Sequence, residues 1–198
     1  MKRAQPERRF FEDENFEGID FKEKGLKGPE YERCTFNDCD FSGADLSGTK
    51  FTECTFTACN FSLANLTSTS FREAKFIDSK LWGLRFDNCN QFGLSFSFDG
   101  CSLRHAMFYG TKIRKTLFRN SQLNEADFTA CDLTSSVFDN CDMANATFDS
   151  TVIEKADFRT SYNYSIDPER NRIKKARFSS PQVAGLLDKY DIEIDDAN

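Results

Sequence analysis

The strongest constraint on this chain is a period of five residues. From Tyr31, positions spaced by five read Tyr31, Phe36, Phe41, Leu46, Phe51, Phe56, Phe61, Leu66, Phe71, Phe76, Leu81 and Phe86, all large and apolar. The phase shifts by two residues within CNQFGLSFSFDGC, residues 89–101. It resumes as Phe98, Leu103, Phe108, Ile113, Phe118, Leu123, Phe128, Leu133, Phe138, Met143, Phe148, Ile153 and Phe158. With Phe11, Phe16, Phe21 and Phe178, 19 of the 22 phenylalanines fall on this series, which excludes chance. Helices bury a face every ~3.6 residues and strands every ~2. A chain that buries large residues every five must turn after each unit, and so must stack coil on coil.

The position two residues before each large residue is small: Cys34, Cys39, Ala44, Thr49, Cys54, Cys59, Ala64 and onward, and all eight cysteines sit there. A small side chain two residues before a large one implies that both point inward, with polar residues between. From Phe98 to Phe158, Phe alternates with Leu, Ile or Met. Four faces per coil would then carry phenylalanine ladders on two opposite faces and aliphatic ladders on the other two. Stacked aromatic pairs of this kind add to area burial.

This pattern resembles the pentapeptide-repeat family, whose consensus is A(D/N)LXX, and SGADLSGTKF at residues 42–51 matches it closely. The resemblance spans roughly residues 10–160. It implies a right-handed quadrilateral β-helix, an all-β solenoid of about seven to eight coils in which residues twenty apart stack at ~4.8 Å. The expected organisation is an N-terminal extension (1–9), the β-helix (10–160), an excursion loop (161–172), and a last partial coil with a helix and terminal strand (173–198). The excursion is read from Asn163 and Pro168, which fall on would-be core positions. In the tail, Ser180-Pro181 reads as a helix start. Val183, Leu186, Leu187 and Tyr190 then follow at helical spacing, which predicts a short amphipathic α-helix that either caps the open end or forms a dimer seam.

Composition narrows the function. A net charge of −6 argues against a nucleic-acid binder that neutralises phosphate. No apolar run approaches the ~20 residues of a membrane span. MKRAQPERRF has charge without an apolar segment behind it, so the cysteines read as reduced thiols in a cytoplasmic chain. One histidine and no triad, phosphate-loop or zinc-protease pattern leave no catalytic residue to name, and the expectation is no enzyme and no cofactor. Cys34 with Cys54, and Cys39 with Cys59, should stack on shared faces. Buried thiols pack as modest hydrophobes, so no metal site is expected.

Function is therefore expected on the surface. Between residues 31 and 100 there are nine acidic and six basic residues. Glu53 and Glu73 should stack directly, with Asp38, Asp40 and Asp45 nearby, whereas Arg119, Asp139 and Arg159 should form a ladder of alternating sign. Trp82 is expected to lie under Arg104 in a cation–π contact. The tail, through Ile166-Asp167-Pro168, Ile173-Lys174, residues 182–190 and Ile192-Glu193-Ile194, resembles the Qnr-type quinolone-resistance group, and residues 81–89 resemble its sequence around an important central glycine, here Gly83. That resemblance implies a rod-shaped homodimer joined at its C-terminal ends that mimics DNA toward a type II topoisomerase, DNA gyrase or topoisomerase IV. Residues 31–86 lack the two projecting loops of that group, as do shorter relatives of the mycobacterial MfpA kind. The alternative is a general protein-interaction scaffold. An acidic stripe along one face favours mimicry, and charge scattered over four faces favours the scaffold.

Overall fold

A five-residue period with two inward positions bends the backbone at every unit, and four bends close a square coil. In the computed structural model, which describes residues 10–26 and 28–194, the chain forms such an all-parallel quadrilateral β-solenoid. The expected extension at 1–9 lies outside the described residues. The first face carries a four-stranded sheet of Phe10–Glu12, Glu30–Glu32, Lys50–Thr52 and Ser70–Arg72. The second carries seven strands: Asn15–Glu17, Thr35–Asn37, Thr55–Thr57, Ala74–Ile77, Phe96–Asp99, Leu117–Arg119 and Val137–Asp139. Seven passes of one face enclose six turns, and the bridges Val137 to Asp157 and Asp157 to Arg177 carry the stack further. The register is twenty residues, as in Phe36 beside Phe56, and twenty-two across the slip, as in Phe76 beside Phe98.

The core is built of columns of stacked rings. Phe118 and Phe138 lie 4.8 Å apart and nearly parallel, and Phe108 and Phe128 stack at 5.0 Å. Phe118 meets Phe128 edge to face at 6.0 Å, so the two ladders of the C-terminal half contact each other across the rod. Leu103, Leu123 and Met143, with Ile113, Leu133 and Ile153, fill the other two faces.

Each corner needs a residue that turns the backbone out of the strand. Among the described residues, 22 non-glycine residues hold φ between 49° and 62°, including Glu53, Leu63, Glu73 and His105. Left-handed backbone costs an L-residue ~1–2 kcal/mol. Apart from Asp191, which ends the tail helix, it persists because the corners aim their N–H groups along the rod axis toward the next coil: Glu53 N donates to Arg72 O at 2.7 Å, and Leu63 N to Trp82 O at 3.0 Å. The Asp or Asn that begins a unit caps the same turn. Asp40 accepts from Ser42 N at 2.8 Å, and Asp127 from Thr129 N at 2.8 Å.

The slip is absorbed as a bulge on the first face. Asn90 N still bonds Thr69 O, but Ser95 N bonds Phe71 O, so the extra residues lie between them. Phe92 is left exposed with Arg72 5.5 Å over its ring. Phe96 occupies a small-residue position and turns inward against Phe86 and Phe98.

Three expectations are corrected. Residues 161–172 are not an excursion: Tyr162 bridges Asp142, Arg172 bridges Val152, and Tyr164 and Ile166 are buried. Tyr164 and Ile166 supply the apolar volume that Asn163 does not. The tail helix is wound as 3-10 turns, Ser180–Leu186 and Asp188–Tyr190, with Ser179 rather than Ser180 at the N-cap. Gly185 docks against the last coil, its carbonyl accepting from Ile166 N at 2.9 Å, and this anchor fixes the tight winding. Residues 191–194 form no strand, and Ile192 and Ile194 are exposed.

Phe128 is fully buried and stacks on rings above and below. Phe128→Ala is expected to cost ~3–5 kcal/mol in chemical denaturation, because hydrogen-bonded coils cannot collapse into the cavity. A loss under ~1 kcal/mol would show that ladder stacking contributes little.

Candidate functional site

Among the described residues there is no group of three or more His, Cys, Asp or Glu side chains arranged to hold a metal. His105, the one histidine, sits on an exposed corner with Nδ1 3.3 Å from Glu125 Oε2. All eight cysteines are free and buried. What distinguishes this molecule is the arrangement of charge on its corners.

In the C-terminal half the charges neutralise one another. Arg119 bonds Asp99 on the coil before it, Arg114 bonds Asp132 at 2.6 Å, and Arg172 bonds Glu154 at 2.7 Å. The expected ladder is present in register, with Arg119 beside Asp139, but Arg119 turns to Asp99, and Arg159 folds back on Asp157 at 2.8 Å. For Arg159, a carboxylate two residues away in the same turn is reached with little loss of side-chain freedom, so it outcompetes one a coil away.

The N-terminal half differs. Arg33 gathers Glu12, Asp13 and Glu32, and Lys50 bonds Glu30 at 2.6 Å. Beyond these, Glu53 and Glu73 occupy successive exposed positions of one corner column, and no ion pair involves either among the described residues. Asp38 and Asp78 stand on the next corner column with Ala58 between them, also outside any ion pair. These two corners border the second face on either side. The structure thus brings Glu53 and Glu73 together and sets Asp38 across that face from them. Asp40 follows Asp38 at the start of the third face, and Asp45 lies one face further round. The Ser42 hydroxyl and N–H hold Asp40 below the usual carboxylate range, and the Ser47 hydroxyl and N–H do the same for Asp45. Both are turn caps as well as surface charges. Asp78 was not singled out in the sequence, although the twenty-residue rule applied to Asp38 through Ala58 would have found it.

Two further features lie on the corner after the third face. Leu63 is 74% exposed and Trp82, on the next coil, 47%. Gly83 has φ +62°, and a Cβ there would come within 2.9 Å of Leu63 Cδ2, so glycine lets the leucine lie across the corner. Trp82 and Arg104 do share this corner, since Gly83 N donates to Arg104 O, but they form no cation–π contact. The indole N–H donates to Ser102 Oγ at 2.6 Å and Arg104 Nε to Gln122 Oε1 at 3.1 Å, each finding a hydrogen bond instead.

At the C-terminal end, Leu186 is half-buried against the core, whereas Val183, Leu187 and Tyr190 are exposed. The four tail residues therefore divide, one covering the last coil and three facing outward. Lys189 ties the segment down through Asp167 at 2.8 Å and Glu169 at 2.6 Å.

A square parallel solenoid with one ringed core and charge sorted on its corners defines a repeat protein that presents surfaces. The sequence matches the pentapeptide repeat region over residues 29–97 and 49–128 and eight pentapeptide repeat copies over 121–159, and the chain belongs to the pentapeptide-repeat family. No curated protein matches it. Among solved structures it is similar to full-length QnrB1, a plasmid-mediated fluoroquinolone resistance protein, with 19% identity and a TM-score of 0.54 over 92% of this chain and 100% of that one. It is also similar to HetL, from the cyanobacterium Nostoc sp. strain PCC 7120, with 16% identity and a TM-score of 0.33 over 85% and 84%. At 19% identity the likeness to QnrB1 shows the fold alone.

Acid sensitivity follows from the paired carboxylates. Arg119 lowers the pKa of Asp99, Arg159 that of Asp157, and Lys189 that of Asp167. Each folded pKa lies below the unfolded value of ~3.9, so the stability it contributes is complete above that value and is lost as pH falls through the folded pKa. The denaturation midpoint is expected to hold from about pH 7 to 5 and to drop below about pH 4, by a modest amount because the pairs are partly solvated. A midpoint unchanged down to about pH 2 would contradict this assignment.

Proposed function

We propose that this protein is a non-enzymatic DNA mimic that binds a type II DNA topoisomerase, gyrase or topoisomerase IV, and protects it from quinolones. The observation that carries the reading is the pair of carboxylate columns, Glu53 with Glu73 and Asp38 with Asp78, that form no ion pair among the described residues and run along both borders of one sheet. Two rows of negative charge separated by a rigid face reproduce the gross layout of duplex phosphates, and coil stacking at ~4.8 Å sets a regular interval along the rod. A basic DNA-binding saddle would meet that surface in place of its substrate. Asp40 adds to the second row.

Length comes from pairing. In this reading two copies join through Val183, Leu187 and Tyr190 at the C-terminal ends, while Leu186 seals the last coil of its own chain. The tail resemblance to the Qnr-type group supports the arrangement, and QnrB1, which has the same fold, is a fluoroquinolone resistance protein. Residues 31–86 keep an uninterrupted register, so any protection works without projecting loops in that stretch. The reading places the protein in the cytoplasm, where its partner acts on DNA. The scaffold alternative draws on Leu63 and Trp82, an exposed apolar pair of the kind that anchors protein contacts rather than replacing phosphate.

Competition with DNA for purified gyrase is expected, and it should weaken steeply with salt. Glu53→Lys with Glu73→Lys should abolish it while leaving the fold intact. If the parent protein does not compete, or the double variant competes equally, the mimicry reading fails and the scaffold reading stands.

The seam is tested separately by sedimentation. Leu187→Asp should yield a monomer, whereas Leu186→Asp should lower stability. An unchanged mass for Leu187→Asp would make the segment a cap alone.

A further inference from the structure

The small inward positions stack in columns of their own, and their chemistry is not uniform. Cys89 lies between Thr69 and Thr111, Cys101 between Ser79 and Ser121, Cys131 between Thr111 and Thr151, and Cys141 between Ser121 and Ser161. Each of these thiols has a hydroxyl on both neighbouring coils. Only Cys34 with Cys54 and Cys39 with Cys59 place thiol directly on thiol.

Both pairs are buried, and they differ in what lies beside them. Cys34 and Cys54 are fully enclosed. Cys39 and Cys59 form part of the wall of a surface groove completed by Asp38, Asp40, Asn60 and Lys80. Cys59 Sγ reaches toward the coil that carries Cys39, contacting Phe36 O at 3.3 Å, while Cys39 Sγ contacts Asn37 O at 3.3 Å. Adjacent strands lie ~4.8 Å apart, inside the ~4.4–6.8 Å over which two Cα atoms can be joined by a disulfide.

We propose that Cys39 and Cys59 are an oxidisable pair that hydrogen peroxide converts to a disulfide joining two successive coils. Cys39 thiolate attacks one peroxide oxygen; the S–O bond forms, the O–O bond breaks, and the departing hydroxide takes a proton to become water. Cys59 then gives up its proton and attacks the Cys39 sulfur. The S–S bond forms, the S–O bond breaks, and the hydroxide leaves with that proton as a second water. Two thiols are oxidised by two electrons and one peroxide is reduced to two waters.

The order of attack follows from the pair itself. The neighbouring Cys59 thiol lowers the Cys39 pKa, and the Cys39 sulfur in turn raises that of Cys59. Elsewhere burial pushes the thiols up, to about 12 for Cys101 and Cys131, and so keeps them protonated. The product suits its surroundings, because a neutral disulfide replaces an ionisable pair in an apolar core. Oxidation would fasten together the coils that carry Asp38, Asp40 and Glu53.

The test is peroxide treatment of the native full-length protein at neutral pH, followed by non-reducing peptide mapping. The expected result is one cross-link, Cys39 to Cys59, retained in the Cys34→Ser, Cys54→Ser double variant. Cys59→Ser should stop at a sulfenic acid on Cys39 that dimedone traps, and Cys39→Ser should give neither product. Serine already occupies the Cys39 and Cys59 column at Ser79, Ser121 and Ser161, so Cys39→Ser and Cys59→Ser should keep the native packing, which circular dichroism verifies for every variant. The proposal is overturned if the folded protein forms no cross-link, if Cys34 and Cys54 join first, or if dimedone finds no adduct on Cys39 in Cys59→Ser.

Discussion

The structure depends on one repeated contact, an aromatic ring lying on the ring twenty residues away while the backbone beneath both is hydrogen-bonded in parallel. Phe16, Phe36, Phe56, Phe76, Phe98, Phe118, Phe138 and Phe158 form such a column, with successive centroids 4.6–5.4 Å apart. Neither half of the contact suffices alone. Three-residue strands are too short to hold a register, and stacked rings without a ladder would be free to slide. Together they set the axial repeat to which every other feature conforms.

That repeat explains why so many residues tolerate left-handed backbone. A corner must direct an N–H along the axis, and the bond it makes to the next coil offsets the local strain. It also explains the cysteines. A column two residues from a ring has room for one small side chain per coil, and thiols, hydroxyls and methyls all fit. Which of these stands next to which then decides the chemistry, and only two of the possible neighbours are thiol on thiol.

The corners are where the molecule can vary without losing its fold. In the C-terminal half they carry opposite charges that pair within a turn or across one coil, leaving little net field. In the N-terminal half Glu53, Glu73, Asp38 and Asp78 form no ion pair among the described residues, and Glu53 and Glu73, like charges on neighbouring coils, repel. The exposed Leu63 and Trp82 stand on another corner, and both surfaces are held by the same core.

The five-residue period alone determined the solenoid, the inward rings, the buried thiols and the stacking of Glu53 on Glu73, because all of these follow from counting along a chain whose repeat is local. The amphipathic pattern at 183–190 likewise marked a helical tail. Tertiary structure decided what counting cannot reach. Trp82 and Arg104 stand in register yet bond elsewhere, since each side chain selects among several neighbours at similar distance. Asn163 looked like a break, but Tyr164 and Ile166 turned inward in its place, because a coil held at both edges retains its register and recruits whatever apolar side chain can fill the gap. Docking of Gly185 on the last coil wound the tail tightly and divided its apolar residues into a covered Leu186 and an exposed Val183, Leu187 and Tyr190. Sequence spacing specifies which residues share a face; only the packed molecule decides which atoms on that face meet, because that choice depends on small differences in distance between side chains far apart in the chain.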